Sequence, residues 1–224
     1  MAKIHPTAVI EGDVELGSEV VIGPMCYLKG PLIIGEGTQV GASCVIGTDG
    51  EHKTRPPAGV VRIGRGTTVR ELTVIQRGTG DHDTTVGDRC FVMDHCHIAH
   101  DVVIHDDVTM SPNVVLGGHT HVHEGVTVGI AAVVHQFSTI GAYAMIGMSA
   151  VVTRDIPPLS VVAGNPARFL RLNHHQMTPR GWQSQQIAIV DERLTTTNQE
   201  IQRLIEIFEK DVRRKILPIS NPND

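Results

Sequence analysis

The chain has 224 residues, enough for one large domain or a domain with a small appendage. Hydrophobic residues make up 41% and aromatic ones 3%, so a core must be filled by Val, Ile, Leu, Ala and Cys. The net charge of -5, with no long Lys/Arg run, argues against nucleic-acid binding by bulk electrostatics, and no apolar window is long enough to span a membrane.

The N-terminal segment MAKIHPTAV lacks the apolar stretch of a signal peptide. A cytoplasmic protein is therefore expected, with its four cysteines as reduced thiols. From Ile4 an aliphatic residue recurs every six positions, through Ile10, Leu16 and Ile22 to Ile46. The register restarts at Ile63, Val69 and Ile75, then runs unbroken from Val86 to Val152. Gly often follows the aliphatic residue, as at Gly23, Gly41 and Gly117, which suggests a corner needing unusual dihedrals. Four positions after the aliphatic residue sits a compact one, and all four cysteines (Cys26, Cys44, Cys90, Cys96) occupy that slot. They read as small buried hydrophobes without metal-ligand spacing.

Hexapeptide periodicity predicts a parallel β-helix. Three hexads close a triangular coil of about 18 residues, and coils stack about 4.8 Å apart. The two interruptions, residues 48–62 and 76–85, are expected to leave at corners as functional loops. After Val152 the pattern ends in TRDIPPLSVVAGNPAR. This sets the expected boundary: a catalytic β-helix over 1–165 and a helical extension over 166–224. Thr178 and Pro179 suit a helix start. Ile187, Val190, Leu194, Ile201, Leu204, Phe208 and Val212 fall on helical spacing, a stripe for packing on the prism or a neighbouring subunit.

Histidines concentrate between 95 and 135. The coil period puts the hexads starting at Ile98, Leu116 and Val134 on one edge of the prism. His100, His119 and His135 then lie near one line, with His97 at the preceding corner. None occupies an inward slot, so all are expected to face solvent or a partner. Two chemistries fit. Neutral imidazoles ligate zinc, as between subunits of γ-class carbonic anhydrases. Alternatively His100 takes a proton from a hydroxyl or amine, with Asp101 orienting its ring.

Several segments carry a family resemblance: IHPTAVIEG near the start, VIQRGTG at 74–80, CHIAHDV at 96–102, LGGHTHV at 116–122, AVVHQFSTIGAYAMIG at 132–147 and RGW at 180–182. Over roughly residues 1–182 the chain resembles the UDP-N-acetylglucosamine acyltransferases of lipid A biosynthesis. The hexads resemble the left-handed β-helix of hexapeptide acyltransferases. The resemblance implies a homotrimer with sites between subunits. It implies a fatty acyl thioester on the phosphopantetheine of acyl carrier protein, a nucleotide-sugar acceptor acylated at the glucosamine 3-hydroxyl, and no cofactor or metal of the enzyme's own. It makes His100 the general base, Asp101 its support, and the Gly118 amide an oxyanion donor, which is apt for a thioester carbonyl under attack. His97, His119, His135 and Gln136 correspond to sugar and nucleotide contacts. In the first loop Lys53, with an acidic neighbour at Glu51 or Asp49, corresponds to a substrate-contacting pair. Asn173 and Arg180 correspond to uridine-diphosphate contacts, and a guanidinium suits phosphate oxygens. Met148 falls at the ruler position that stops the acyl chain, implying a medium-chain, 3-hydroxy donor.

Three positions depart from the family pattern. Gln76 replaces a histidine, Pro166 turns residues 164–167 into the GNPA of CoA-dependent acetyltransferases, and Pro179 replaces one of two arginines. The tail is also shorter. A related acyl- or acetyltransferase acting on another sugar or amino sugar, with carrier-protein or CoA donor, is therefore the alternative reading.

Overall fold

The computed structural model describes residues 1–219 except 57, 81 and 192; the last five residues of the expected extension lie outside the described residues. Each hexad folds as expected into a strand of two to four residues, and the strands stack into three parallel faces of ten, eight and seven strands. On the eight-stranded face His97 pairs with Val115 and Val115 with Val133, one coil apart. An undisturbed coil separates bonded neighbours by 18 residues, as in Asp88 N–H to Asp106 Oδ1. The coils holding the two interruptions stretch this to 29 (Thr67 to Thr38) and 23 (Cys90 to Thr67). The ladder resumes afterwards, so the loops leave the wall without opening the core.

The core is the aliphatic column and the compact column together. Ile98, Leu116, Val122 and Ile146 are fully buried, as are Val102, Val108 and Ala132. The cysteines are buried with them; burial pushes the Cys90 and Cys96 thiols up to about 11, so they stay protonated. The glycines after the aliphatic residues have a different cause from the one expected. The left-handed backbone falls two residues later, on Met25, Ser43, Asp101, His119 and Phe137, with φ from 57° to 62°. Gly117 is instead required by close approach: a Cβ there would lie 2.7 Å from the Gln136 nitrogen of the next coil.

The tail departs from the expected single helical stripe. Arg168–Leu172 is a strand that turns back antiparallel on Ser160–Ala163. Thr178–Arg180 is one turn of 3-10 helix. Ile187 and Val190 lie in Ile187–Val190 and Leu194 in Arg193–Thr196, the two strands of a hairpin. The α-helix is Gln199–Lys210, capped by the Asn198 carboxamide on the Glu200 and Ile201 N–H groups. Ile201 and Ile205 pack with Leu159, Met177, Trp182 and Leu194 in a second core. Just beyond the helix, Asp211 is clamped to the prism: His121 Nδ1 and His123 Nε2 both donate to its Oδ2 at 2.9 Å. The chain then closes over the end of the prism, where buried Asp155 accepts from the N–H groups of Thr139, Arg213 and Arg214 at 2.6–2.7 Å. Among the described residues no helix is long and apolar enough to cross a membrane.

Candidate active site

The corner between the eight- and seven-stranded faces builds the site. After the strand His97–Ile98 the chain turns at His100 and Asp101, and Asp101 is held in the left-handed region at φ 59°. The next coils repeat this turn at Gly118–His119 and Gln136–Phe137. Two columns result. His119 sits over Asp101 and Phe137 over His119, while Gly118 and Gln136 sit over His100.

The columns explain the contacts. His100 Nδ1 is 2.7 Å from Asp101 Oδ2. A neutral imidazole beside a carboxylate donates from that nitrogen, which leaves Nε2 as the acceptor. Asp101 also accepts from the Thr79 N–H and O–H and from the His82 N–H. Burial alone would raise its carboxyl, but hydrogen bonds from His100, Thr79 and His82 outweigh that and hold it below the ordinary range. His119 Nε2 lies 3.7 Å from the same Oδ2, and its ring meets His100 edge-on at 5.2 Å between centroids. Gly118 leaves room for the His100 ring: a Cβ would lie 2.7 Å from Cε1 and 2.9 Å from Nε2. The Gly118 N–H donates to no acceptor among the described residues, so it remains available beside His100.

His100 and His119 do not face solvent as expected; they are 7% and 6% exposed. The first loop covers them. Gly50 passes so close that a Cβ would lie 2.7 Å from His100 Cβ, and the His52 ring meets His100 at 5.9 Å between centroids. Asp49 pairs with Lys29 and Arg77 at 3.3 and 2.8 Å, and the Glu51 N–H donates to Gln76 Oε1. Gln76, standing where a histidine was expected, thus helps seat the loop. Lys53 is exposed in it.

The single line of three histidines is also corrected. Each falls in a different column, because they follow their aliphatic residues by two, three and one positions. His135 and Gln136 are exposed on the third coil, and His97 points outward from its strand, half-buried. Asn173 is buried, its amide donating to Tyr143 O at 2.8 Å. Arg180 lies 4.0 Å over the Tyr143 ring and is exposed. Met148 is 73% exposed beyond the strand Met145–Ile146, at the corner between the ten- and eight-stranded faces. Within one chain these last three therefore belong to other edges of the prism than His100. Sequence reasoning missed Thr79, His52 and Phe137. Thr79 stands in the quoted VIQRGTG segment, but its partnership with Asp101 depends on how the second loop folds.

Ligand atoms of His100, Asp101 and His119 lie within 4.8 Å of one another, close enough for a metal. The Asp101 oxygens, however, already accept hydrogen bonds from Thr79, His82 and His100. This is the environment of a carboxylate that orients a base.

A parallel β-helix of hexads with an Asp-held histidine at a corner defines a hexapeptide-repeat transferase, and the bacterial transferase hexapeptide (six repeats) family model matches residues 83–118. An acyl-[acyl-carrier-protein]–UDP-N-acetylglucosamine O-acyltransferase of Aliivibrio fischeri is 34% identical, covering 95% of this chain and 97% of the relative. The chain belongs to that family, and its β-helix is left-handed. A member from Gloeothece citriformis is 38% identical over 148 residues, 65% of this chain and 54% of the relative's length. The LpxA structure from Acinetobacter baumannii superposes with a TM-score of 0.79 at 26% identity, covering 95% of this chain and 99% of that one. The Francisella novicida UDP-N-acetylglucosamine acyltransferase gives 0.76 at 25% identity, covering 98% and 95%.

Proposed function

We propose that the chain transfers a fatty acyl group from acyl carrier protein to the 3-hydroxyl of UDP-N-acetylglucosamine, the opening step of lipid A biosynthesis, in the cytoplasm. The observation that carries the reading is the 2.7 Å contact between His100 Nδ1 and Asp101 Oδ2, which leaves Nε2 as a proton acceptor next to the Gly118 N–H. His100 Nε2 takes the proton of the sugar hydroxyl as its oxygen attacks the thioester carbonyl. The tetrahedral oxyanion is stabilised by the Gly118 N–H. Collapse breaks the C–S bond, and the departing thiolate takes the proton from His100. The donor arrives already activated, so the step uses no cofactor of the enzyme's own. His97, His119, His135, Gln136, Glu51 and Lys53 line the approach to the acceptor.

Asn173, Arg180 and Met148 contribute through a homotrimer, each from a neighbouring copy. Two features support this. They lie at edges other than that of His100. The eight-stranded face also turns a nearly continuous apolar row outward, in which Val9, Val115 and Val133 are exposed.

The test is incubation with UDP-N-acetylglucosamine and carrier-protein thioesters of several lengths, with products identified by mass. An acylated nucleotide sugar is expected. Turnover only with acetyl-CoA would move the chain to the acetyltransferases that the GNPA segment resembles.

A further inference from the structure

We infer that Arg214, in the segment that closes the end of the prism, is a positioning residue that fixes which nitrogen of His135 carries the proton. The inference rests on the reading of His135 as an acceptor-sugar contact. Arg214 is placed by the backbone, independently of His135. Its N–H and that of Arg213 are bound by Asp155 Oδ2, and the Leu217 N–H donates to Asp155 O at 2.8 Å. From that anchor the guanidinium reaches across the wall. Its Nε donates to Thr153 O at 3.0 Å, and its Nη1 lies 3.0 Å from His135 Nδ1 and 3.1 Å from Gln136 O.

His135 Nδ1 is itself 3.0 Å from Gln136 O. The imidazole therefore has two mutually exclusive arrangements. With the proton on Nδ1 it donates to Gln136 O, and Nε2 presents a lone pair. With the proton on Nε2 it presents a donor, and Nδ1 must receive a hydrogen bond. A guanidinium has N–H donors and no acceptor. Facing Arg214, Nδ1 can only be the acceptor. The proton sits on Nε2, and the exposed edge of His135 is a hydrogen-bond donor that recognises an acceptor oxygen on the nucleotide sugar. Without the guanidinium, Gln136 O is the nearest partner, the proton moves to Nδ1, and the exposed edge reverses its character.

The surroundings fit an oxygen-rich ligand. Arg154, Arg213, Arg214 and Lys215 line an open cleft of about 590 Å³ with Phe137 and Thr153.

The test uses full-length protein labelled with ¹⁵N-histidine, the His135 signals being assigned by their loss in His135→Gln. Long-range ¹H–¹⁵N correlations should show protonated Nε2 in the wild type and in Arg214→Lys, whose ammonium also only donates. Arg214→Met should shift the proton toward Nδ1. In the same series KM for the nucleotide sugar should rise about 2- to 12-fold in Arg214→Met, the worth of one neutral hydrogen bond, with kcat changed less and Lys restoring part of the loss. Hydrogen exchange at the Leu217 N–H should stay slow in Arg214→Met, since Asp155 still holds that segment. Protonated Nδ1 in the wild type, or a tautomer unmoved in Arg214→Met, would overturn the inference. So would a shifted tautomer with an unchanged KM. Absence of wild-type turnover on UDP-N-acetylglucosamine would strike the proposed acceptor instead, and the tautomer spectra would stand on their own.

Discussion

His119 lies flat against Phe137, with ring centroids 4.4 Å apart and planes 4° from parallel. The stack follows from the coil period, which puts both residues in one corner column with Asp101 beneath. Phe137 thus pins the ring that leans toward the Asp101 carboxylate. Aromatic pairs contribute about 0.5–1.5 kcal/mol beyond their burial. Phe137→Leu is expected to lower kcat/KM by about 2- to 12-fold. Its melting temperature should barely change, because Phe137 is exposed. Unaltered kinetics would show that Asp101 holds His119 without help.

His100→Ala should reduce kcat by about 10²–10⁴-fold, the usual worth of a general base. The fold should survive, because the core beneath is made by Ile98 and Val102. Circular dichroism and single-turnover assays separate the two effects. Near-normal turnover in the folded variant would remove His100 from the chemistry.

Gly118→Ala offers a complementary probe. The added methyl meets the His100 ring rather than backbone, so the ring must turn away from its bond with Asp101. Activity should fall at least as far as in Phe137→Leu, with a loss of stability of about 1–3 kcal/mol from overpacking. An active Gly118→Ala would mean that the ring has a second productive position.

The clamp on the tail predicts an acid dependence. Burial alone would raise the Asp211 carboxyl, but the bonds from His121 and His123 reverse that and hold it far below the ordinary range. Its stabilisation is therefore complete above the unfolded carboxyl range near pH 4 and is lost as pH falls through the lower folded value. Asp155 works in the opposite sense. Burial raises its carboxyl above the ordinary value despite the Arg214, Thr139 and Arg213 N–H groups, so its contribution diminishes as pH rises through that folded value. Asp211→Asn should lower stability at pH 7 and flatten the loss between pH 4 and 2. Denaturant titrations across that range check it, and an unchanged slope would show that the clamp does not couple to folding.

The prism was legible because one physical rule, an aliphatic residue at every sixth position, acts in every coil. Ile98, Leu116 and Val134 reveal the faces, and the compact slot reveals the buried cysteines. The site was legible as residues but less so as geometry. His100 and Asp101 are neighbours in the chain, so their contact could be anticipated. The cover over His100 could not, since Gly50 and His52 arrive on an insertion outside the hexad rule. The tail was misread where strand and helix share spacing: Ile187, Val190 and Leu194 suit either, and the hairpin was decided by the pairing of Ile187–Val190 with Arg193–Thr196. The Asp211 clamp joins residues 90 apart in sequence, beyond any local pattern.

The position of Met148 bears on acyl length. Phe91, Thr109, Thr127 and Met145 pair in succession, so Met148 stands three inter-strand steps along the prism from the coil of His100. That rise is about 14 Å. The two residues lie at different corners, so one chain cannot form a straight groove between them; a neighbouring copy must bring Met148 to the edge of His100. A groove running parallel to the axis between two copies then holds about ten or eleven carbons, at roughly 1.3 Å per carbon of extended chain. With 73% of Met148 exposed, Met148→Gly should leave the fold intact. The wild type should prefer medium-chain, 3-hydroxy thioesters, and Met148→Gly should shift the preference by two or more carbons toward longer chains. Profiles of kcat/KM against chain length, taken on protein whose oligomeric state is measured by sedimentation, decide the matter. An unshifted profile in an intact trimer would leave Met148 as a packing residue between copies. A monomer with full activity and a shifted profile would instead require the acyl chain to cross the eight-stranded face, where Val115 and Val133 are exposed to receive it.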